Sequence, residues 1–176
     1  MTGASVRAVT GSVILSALLL LSGCGYHLSG SSGFPPAVAG KKISVATFTN
    51  RGYRANMDAI LSESLVDEFA RRTGGLVVAE KAADLILGGT ILTYTTTAVS
   101  FTAVDKVMEY RAVVTAECSL AEKVTGKVVW KGVVTDWQDY PVNPNVALQQ
   151  NSEDAAIREI SRKIAQQVFQ KISEGF

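Results

Sequence analysis

Apolar and polar residues alternate along several stretches of this chain and recur at spacings of three and four along two others. From Met108 to Ala121 the apolar set Tyr110, Ala112, Val114, Ala116, Cys118 and Leu120 stands against Glu109, Arg111, Thr115, Glu117 and Ser119, the period of a half-buried strand. Lys127 to Asp139 reads as a second strand, joined to the first by a hairpin around Thr125-Gly126. Asp84 to Phe101 reads as a long strand that bends at Gly88-Gly89. Ile43 to Phe48 and Leu76 to Val78 are short ones. Between these two, Met57, Ile60, Leu61, Ser64, Leu65, Glu68 and Phe69 recur on one face of a helix over 56–73, a stripe interrupted only by Ser64 and Glu68. Arg71 and Arg72 suit its C-terminal dipole and Gly74 a left-handed cap. A last helix, Gln149 to Ser173, carries the stripe Ile157, Ile160, Ile164, Val168 and Ile172.

The resulting order, β-α-β-β-β-β-α, predicts an α+β two-layer sandwich. Two helices with one apolar stripe each pack on one face of a mixed, mostly antiparallel sheet of four to five strands. One stretch exceeds what that core needs. Thr90, Thr93, Thr95, Thr96, Thr97, Ser100 and Thr102 stud the long strand, and from Thr93 onward both of its faces turn polar. A strand polar on both sides has left the core, so Thr93 to Val107 is expected to protrude as a hairpin.

The N-terminus has a different pattern. Val13 to Leu21 is an apolar run broken only by Ser16, far short of the ~20 residues that span a bilayer. One cation, Arg7, precedes it and small residues follow, the layout of a secretory signal peptide. Leu21-Ser22-Gly23-Cys24 matches the bacterial lipobox, in which cleavage precedes the Cys and its sulfur is lipidated. An N-acyl chain such as palmitate together with an S-diacylglycerol on Cys24 would anchor the chain stably, at about 0.8 kcal/mol per buried methylene. Gly25 stands where inner-membrane lipoproteins commonly carry Asp, which favours the outer membrane, on its periplasmic side. Residues 1–23 are thus a lipoprotein signal peptide. Residues 24–40, rich in Gly and Ser and ending near Pro35-Pro36, are a lipidated flexible tether. Residues 41–176 form one globular domain.

Composition narrows the chemistry. Lys and Arg number 17 against 16 Asp and Glu, and removal of Arg7 with the leader leaves the two balanced. A neutral domain has no long-range field to draw it onto nucleic acid. Cys118 is the one Cys besides Cys24, so no intramolecular disulfide is available, and its place in the apolar alternation makes it a core residue. The single His, His27, lies in the tether, where it can assemble neither a triad nor a metal site. The carboxylate pairs Asp67/Glu68 and Glu153/Asp154 read as solvated helix faces rather than acid/base pairs. The chain is therefore read as a non-enzyme with neither metal nor cofactor.

Cys24-Gly25-Tyr26-His27-Leu28 after the lipobox, Asp84-Leu85-Ile86-Leu87-Gly88, Glu109-Tyr110-Arg111, and Asn143-Pro144-Asn145-Val146-Ala147-Leu148 before the last helix together resemble the LptE family of outer-membrane lipoproteins. The resemblance implies a plug inside the LptD β-barrel that supports barrel assembly and lipopolysaccharide transport to the outer leaflet. Family members carry one basic residue near the hairpin tip and another just after the Asn-Pro-x-x-Ala-Leu motif. Here the tip offers only Lys106, and Gln149 and Gln150 follow the motif. Lys106 with Lys123 and Lys127 of the next hairpin are accordingly the candidate contacts to lipid A phosphates. The alternative is a periplasm-facing lipoprotein that serves another envelope complex as a protein-binding pilot or regulator.

Mass spectrometry of the mature protein is expected to find an N-terminus at Cys24 carrying acyl chains, and Cys24→Ser is expected to release the protein from membranes. An unmodified Cys24 in the wild-type chain would remove the anchor.

Overall fold

The computed structural model describes residues 34–175, so the leader, Cys24 and His27 lie outside the described residues. Its elements in chain order are β1 (Ile43–Val45), β2 (Thr49–Asn50), α1 (Met57–Thr73), a 3-10 turn (Glu80–Ala82), β3 (Leu85–Phe101), β4 (Val107–Glu122), β5 (Val128–Pro141) and α2 (Val146–Glu174). The sheet runs β1-β3-β4-β5, with β2 also paired to β3. β1 and β2 run parallel to β3, while β3, β4 and β5 form an antiparallel meander. This is the α+β arrangement of two helices and a mixed sheet that the patterning predicts.

Differences of detail have local causes. The expected strand from Ile43 to Phe48 is split in two. Phe48 turns into the core and donates its N–H to the Ser62 hydroxyl of α1 at 3.1 Å instead of to β3. Leu76 to Val78 shrinks to a single bridge in which Ile43 donates to the Leu76 carbonyl and Val78 to the Ile43 carbonyl. The last helix starts at Val146, three residues before the apolar stripe implies. The Asn145 side chain accepts from the N–H groups of Ala147 and Leu148 and so starts the helix earlier. Helix α1 ends as its sequence implies, with Gly74 at φ 61° in the left-handed region.

One face of the sheet meets both helices. Leu61, Leu65 and Phe69 of α1 and Ile157, Ile160, Ile164, Val168 and Ile172 of α2 are buried against Leu85, Leu87 and Ile91 of β3 and Ala112 to Leu120 of β4. Small residues in the middle of this face, Ala112, Ala116 and Cys118, let the helices approach closely. Cys118 is fully buried, and loss of solvation pushes its thiol up to about 12, which keeps it protonated and inert. Glu68, the charge that interrupts the α1 stripe, is buried as well. Its two oxygens accept from Arg71 and Arg72, each at 2.8 Å, three and four positions further along the helix. Residues 34–40, placed by the sequence in the tether, lie against this core. Val38 is buried and the Phe34 ring meets Phe169 edge-on at 5.3 Å.

β3 has no bulge at its glycines. Gly88 and Gly89 stay in regular register with Ser119 and Cys118, and the irregularity falls between Ile91 and Thr93. Gly89 is required for space instead. A Cβ there would lie 2.1 Å from the Glu117 carbonyl oxygen and 2.7 Å from the Phe48 ring. Gly89→Ala is therefore expected to destabilise the domain by about 3 kcal/mol and to lower its Tm by on the order of 10 °C. Gly40→Ala, with open space around its Cβ position, is expected to cost far less despite its left-handed φ. Thermal melting followed by circular dichroism compares the two.

Candidate functional site

The core stops before the sheet does. On β3 the last buried residue is Tyr94 and on β4 the first is Ala112, so no residue from Thr95 to Arg111 is buried. The hairpin expected at Thr93 to Val107 thus projects past the helices. Its turn is built on Thr102, whose hydroxyl accepts from Lys106 N–H at 3.1 Å while Asp105 takes a left-handed φ of 56°. Its tip is less polar than the sequence suggests. Val99, Phe101, Val104 and Met108 are exposed there. Met108 accepts from Val142 N–H at 2.8 Å, which brings the segment before α2, and with it exposed Val146 and Leu148, to the same end of the domain.

A polar lock closes the core below this hairpin. Tyr94 donates its hydroxyl to Glu153 of α2 at 2.6 Å, and Arg54, in the loop before α1, donates to Asp154 at 2.6 Å while standing 3.8 Å from Glu153. Burial, then the bond to Glu153, pushes the Tyr94 phenol far above its ordinary range, so it remains a donor. The bond to Asp154 raises Arg54. Tyr53 and Tyr140 lie near, Tyr53 with its ring 5.2 Å from Tyr94, and Tyr140 with its ring 5.9 Å from that of Tyr110. The pair Glu153/Asp154, read from sequence as a solvated face, is therefore structural. The one available signal was Tyr94, an aromatic inside a threonine run, which the irregularity between Ile91 and Thr93 turns onto the buried face.

Most charges on the face of the sheet away from the helices are paired with one another. Arg111 of β4 donates from two nitrogens to Asp139 of β5, at 2.7 and 2.8 Å, and its guanidinium lies 3.8 Å from the centre of the Trp137 ring. The guanidinium holds the Asp139 carboxyl below its usual range. Lys131 pairs with Glu117 at 3.0 Å, and the Thr115 and Thr135 hydroxyls are 3.0 Å apart.

The two lateral edges of the sheet differ. On β5, Trp137 donates its N–H to Asp136 and its carbonyl accepts from the Lys163 ammonium at 3.0 Å, while Gln138 donates to the Asp139 carbonyl. Side chains thus occupy the outer backbone groups of Trp137 and the Asp139 carbonyl. On β3, strand pairing ends at Asn50 and Ile91, and the Gly52 loop passes close to Tyr94. From Thr95 to Phe101 no strand among the described residues lies on that side of β3.

The three candidate lysines do not converge. Lys106 lies in the hairpin turn before β4, whereas Lys123 and Lys127 flank the turn after it, about 50 Å away along a 16-residue strand. A single phosphate cannot reach both ends. The Lys123 ammonium is also engaged, donating to the carbonyls of Glu80 and Lys81 at 2.6 and 3.1 Å. Among the described residues no group of three or more His, Cys, Asp or Glu could hold a metal ion. What the arrangement offers is surface for docking, in the form of a projecting hairpin with an apolar tip, a polar sheet face with mostly paired charges and an uncharged open edge on β3.

Comparison with known proteins places this fold. The domain is similar to lipoprotein B of Nitrosomonas europaea, at 14% identity and a TM-score of 0.51 over 85% of this chain and 91% of that one. It is also similar to a lipoprotein of Caulobacter crescentus, at 13% identity and 0.50 over 72% and 88%, and to the hypothetical protein CT253 of Chlamydia trachomatis, at 8% identity and 0.53 over 77% and 96%. At these identities the likeness is one of fold. No curated protein matches the sequence at a significant level. A family model, that of the lipopolysaccharide-assembly proteins LptE, matches residues 40–172, which takes in every strand and helix of the domain up to the last turn of α2. The chain belongs to the LptE lipopolysaccharide-assembly family.

Proposed function

We propose that this chain is held by a lipidated Cys24 at the periplasmic side of the outer membrane and seats its domain inside the LptD β-barrel. There it supports barrel assembly and takes part in moving lipopolysaccharide to the outer leaflet. The observation that carries this reading is the family match over residues 40–172. The family is one of accessory lipoproteins that work without a cofactor, so the role is binding and not catalysis. Two physical features agree. A polar sheet face whose charges are mostly paired suits the water-lined interior of a large barrel better than it suits lipid or nucleic acid. A hairpin longer than the helices that cover it reaches beyond the core to touch something else.

Within this reading the lysines act separately. Lys106, at the hairpin end, is the candidate contact to a lipid A phosphate, and Lys123 and Lys127 form a second basic locus at the opposite end.

The protein carrying a C-terminal affinity tag, extracted from its own membranes in mild detergent, is expected to recover a large β-barrel protein in equal amount. Recovery of a secretion or cell-wall complex in its place would point to the pilot or regulator role and end this proposal. Lys106→Ala is expected to weaken lipopolysaccharide binding several-fold in a pull-down with the purified lipoprotein. Lys123→Ala with Lys127→Ala is expected to weaken it independently, so that the two losses multiply.

A further inference from the structure

We infer that the open edge of β3, residues Thr95 to Val99, is an acceptor for an extended strand of the barrel partner, which adds to the sheet through backbone hydrogen bonds. This rests on the barrel reading above and specifies how the two chains join.

A sheet edge presents unpaired N–H and C=O groups, and soluble domains protect such edges with charged side chains, bulges, very short strands or covering loops. This domain protects its other edge positions. β1 is three residues long and has Val77 bridged to it, and β2 is two residues long. On β5 the side chains of Asp136, Gln138 and Lys163 take the outer backbone groups around Trp137. Over Thr95 to Val99, β3 carries no charge and has no strand paired on its outer side among the described residues. The Gly52 loop reaches it only through the Tyr53 hydroxyl, 3.4 Å from that of Thr96, and the bulge falls at its end, at Val99. The strand carries no charged residue anywhere along its 17 positions, and Thr95, Thr96, Thr97 and Val99 are β-branched. The stretch has defined limits. The Gly52 loop covers Tyr94 on one side, and the register with β4 breaks between Ala98 and Ser100 on the other.

The same facts select the occupant. Alternate residues turn their backbone groups away from β4, so the segment offers hydrogen bonds to about five residues of an incoming strand. A second copy of this edge would bring only those five residues before its own turn met the Gly52 loop. That contact falls well short of the ~1,000 Å² that a stable interface needs. An extended segment belonging to a larger interface has no such limit, because the rest of the contact supplies the affinity. With no charge on β3, an incoming strand bearing Lys or Glu at the paired positions would lose hydration without gaining a counter-ion. The fitting segment is therefore uncharged and β-branched or small.

Hydrogen exchange on the full lipidated chain tests this, alone and in complex with the barrel. In the lipoprotein alone, about half of the amides from Thr95 to Val99 are expected to exchange freely, and in the complex these same amides are expected to slow at least tenfold. Thr95→Lys with Thr97→Lys is expected to weaken the complex at least fivefold while leaving the melting temperature within about 2 °C. A complex that forms with no added protection at Thr95 to Val99 overturns the strand-addition proposal and leaves the barrel reading standing. Failure to form any complex overturns both. Protection that grows with lipoprotein concentration in the absence of the barrel would assign the edge to a second copy, contrary to the inference.

Discussion

Two helices can cover only the hairpin surface they are long enough to reach, and most of this molecule follows from that limit. α1, at 17 residues, spans about 25 Å, whereas β3, also 17 residues, spans about 55 Å because a strand rises more than twice as far per residue. α2 runs longer, at 29 residues, but its first turns carry exposed Val146 and Leu148 rather than core residues. Beyond Tyr94 and Ala112 the sheet therefore has no apolar cover. That part is held by strand pairing and by the polar lock beneath it, not by a core.

The lock matters because the end of a core is where water would enter. Tyr94 presents its ring to the buried cluster and its hydroxyl to Glu153, so one side chain ends the apolar layer and begins the polar one. Arg54 ties the loop before α1 to the same turn of α2. The partly exposed Arg54–Asp154 pair contributes little, on the order of 1 kcal/mol or less, while the bond from the buried Tyr94 hydroxyl to the Glu153 carboxylate contributes about 1.5–3 kcal/mol. Together they fix the loop whose Gly52 covers the start of the free β3 edge, and so they determine where that edge begins.

The projecting hairpin and the open edge are consequences of one choice, a central strand with no charge along its length. In the lower half, apolar alternation on β3 serves the core. In the upper half, threonines keep the strand extended and tolerate water without placing a charge beside a potential pairing partner. β3 thus presents hydrated, uncharged β structure at the end farthest from Lys123 and the β4–β5 turn.

The sequence by itself determined the layer architecture, because periods of two and near four survive in any context that buries one face of an element. The stripes of α1 and α2, the alternation of β4 and the left-handed cap at Gly74 were legible for that reason. The leader and Cys24 are read from a linear motif alone and lie outside the described residues. Properties that depend on which distant residues become neighbours were not legible. Gly89 reads as a bend until Phe48 and Glu117 are seen to occupy the space of its missing side chain. Glu153 reads as solvated until Tyr94, 59 residues earlier, donates to it. Three lysines read as one cluster until a strand of 16 residues separates them. Nor could periodicity say which sheet edge stays open. Edge protection comes from a side chain of α2 and from a loop that only the folded chain brings alongside, so tertiary structure alone decided which stretch of edge stays uncovered.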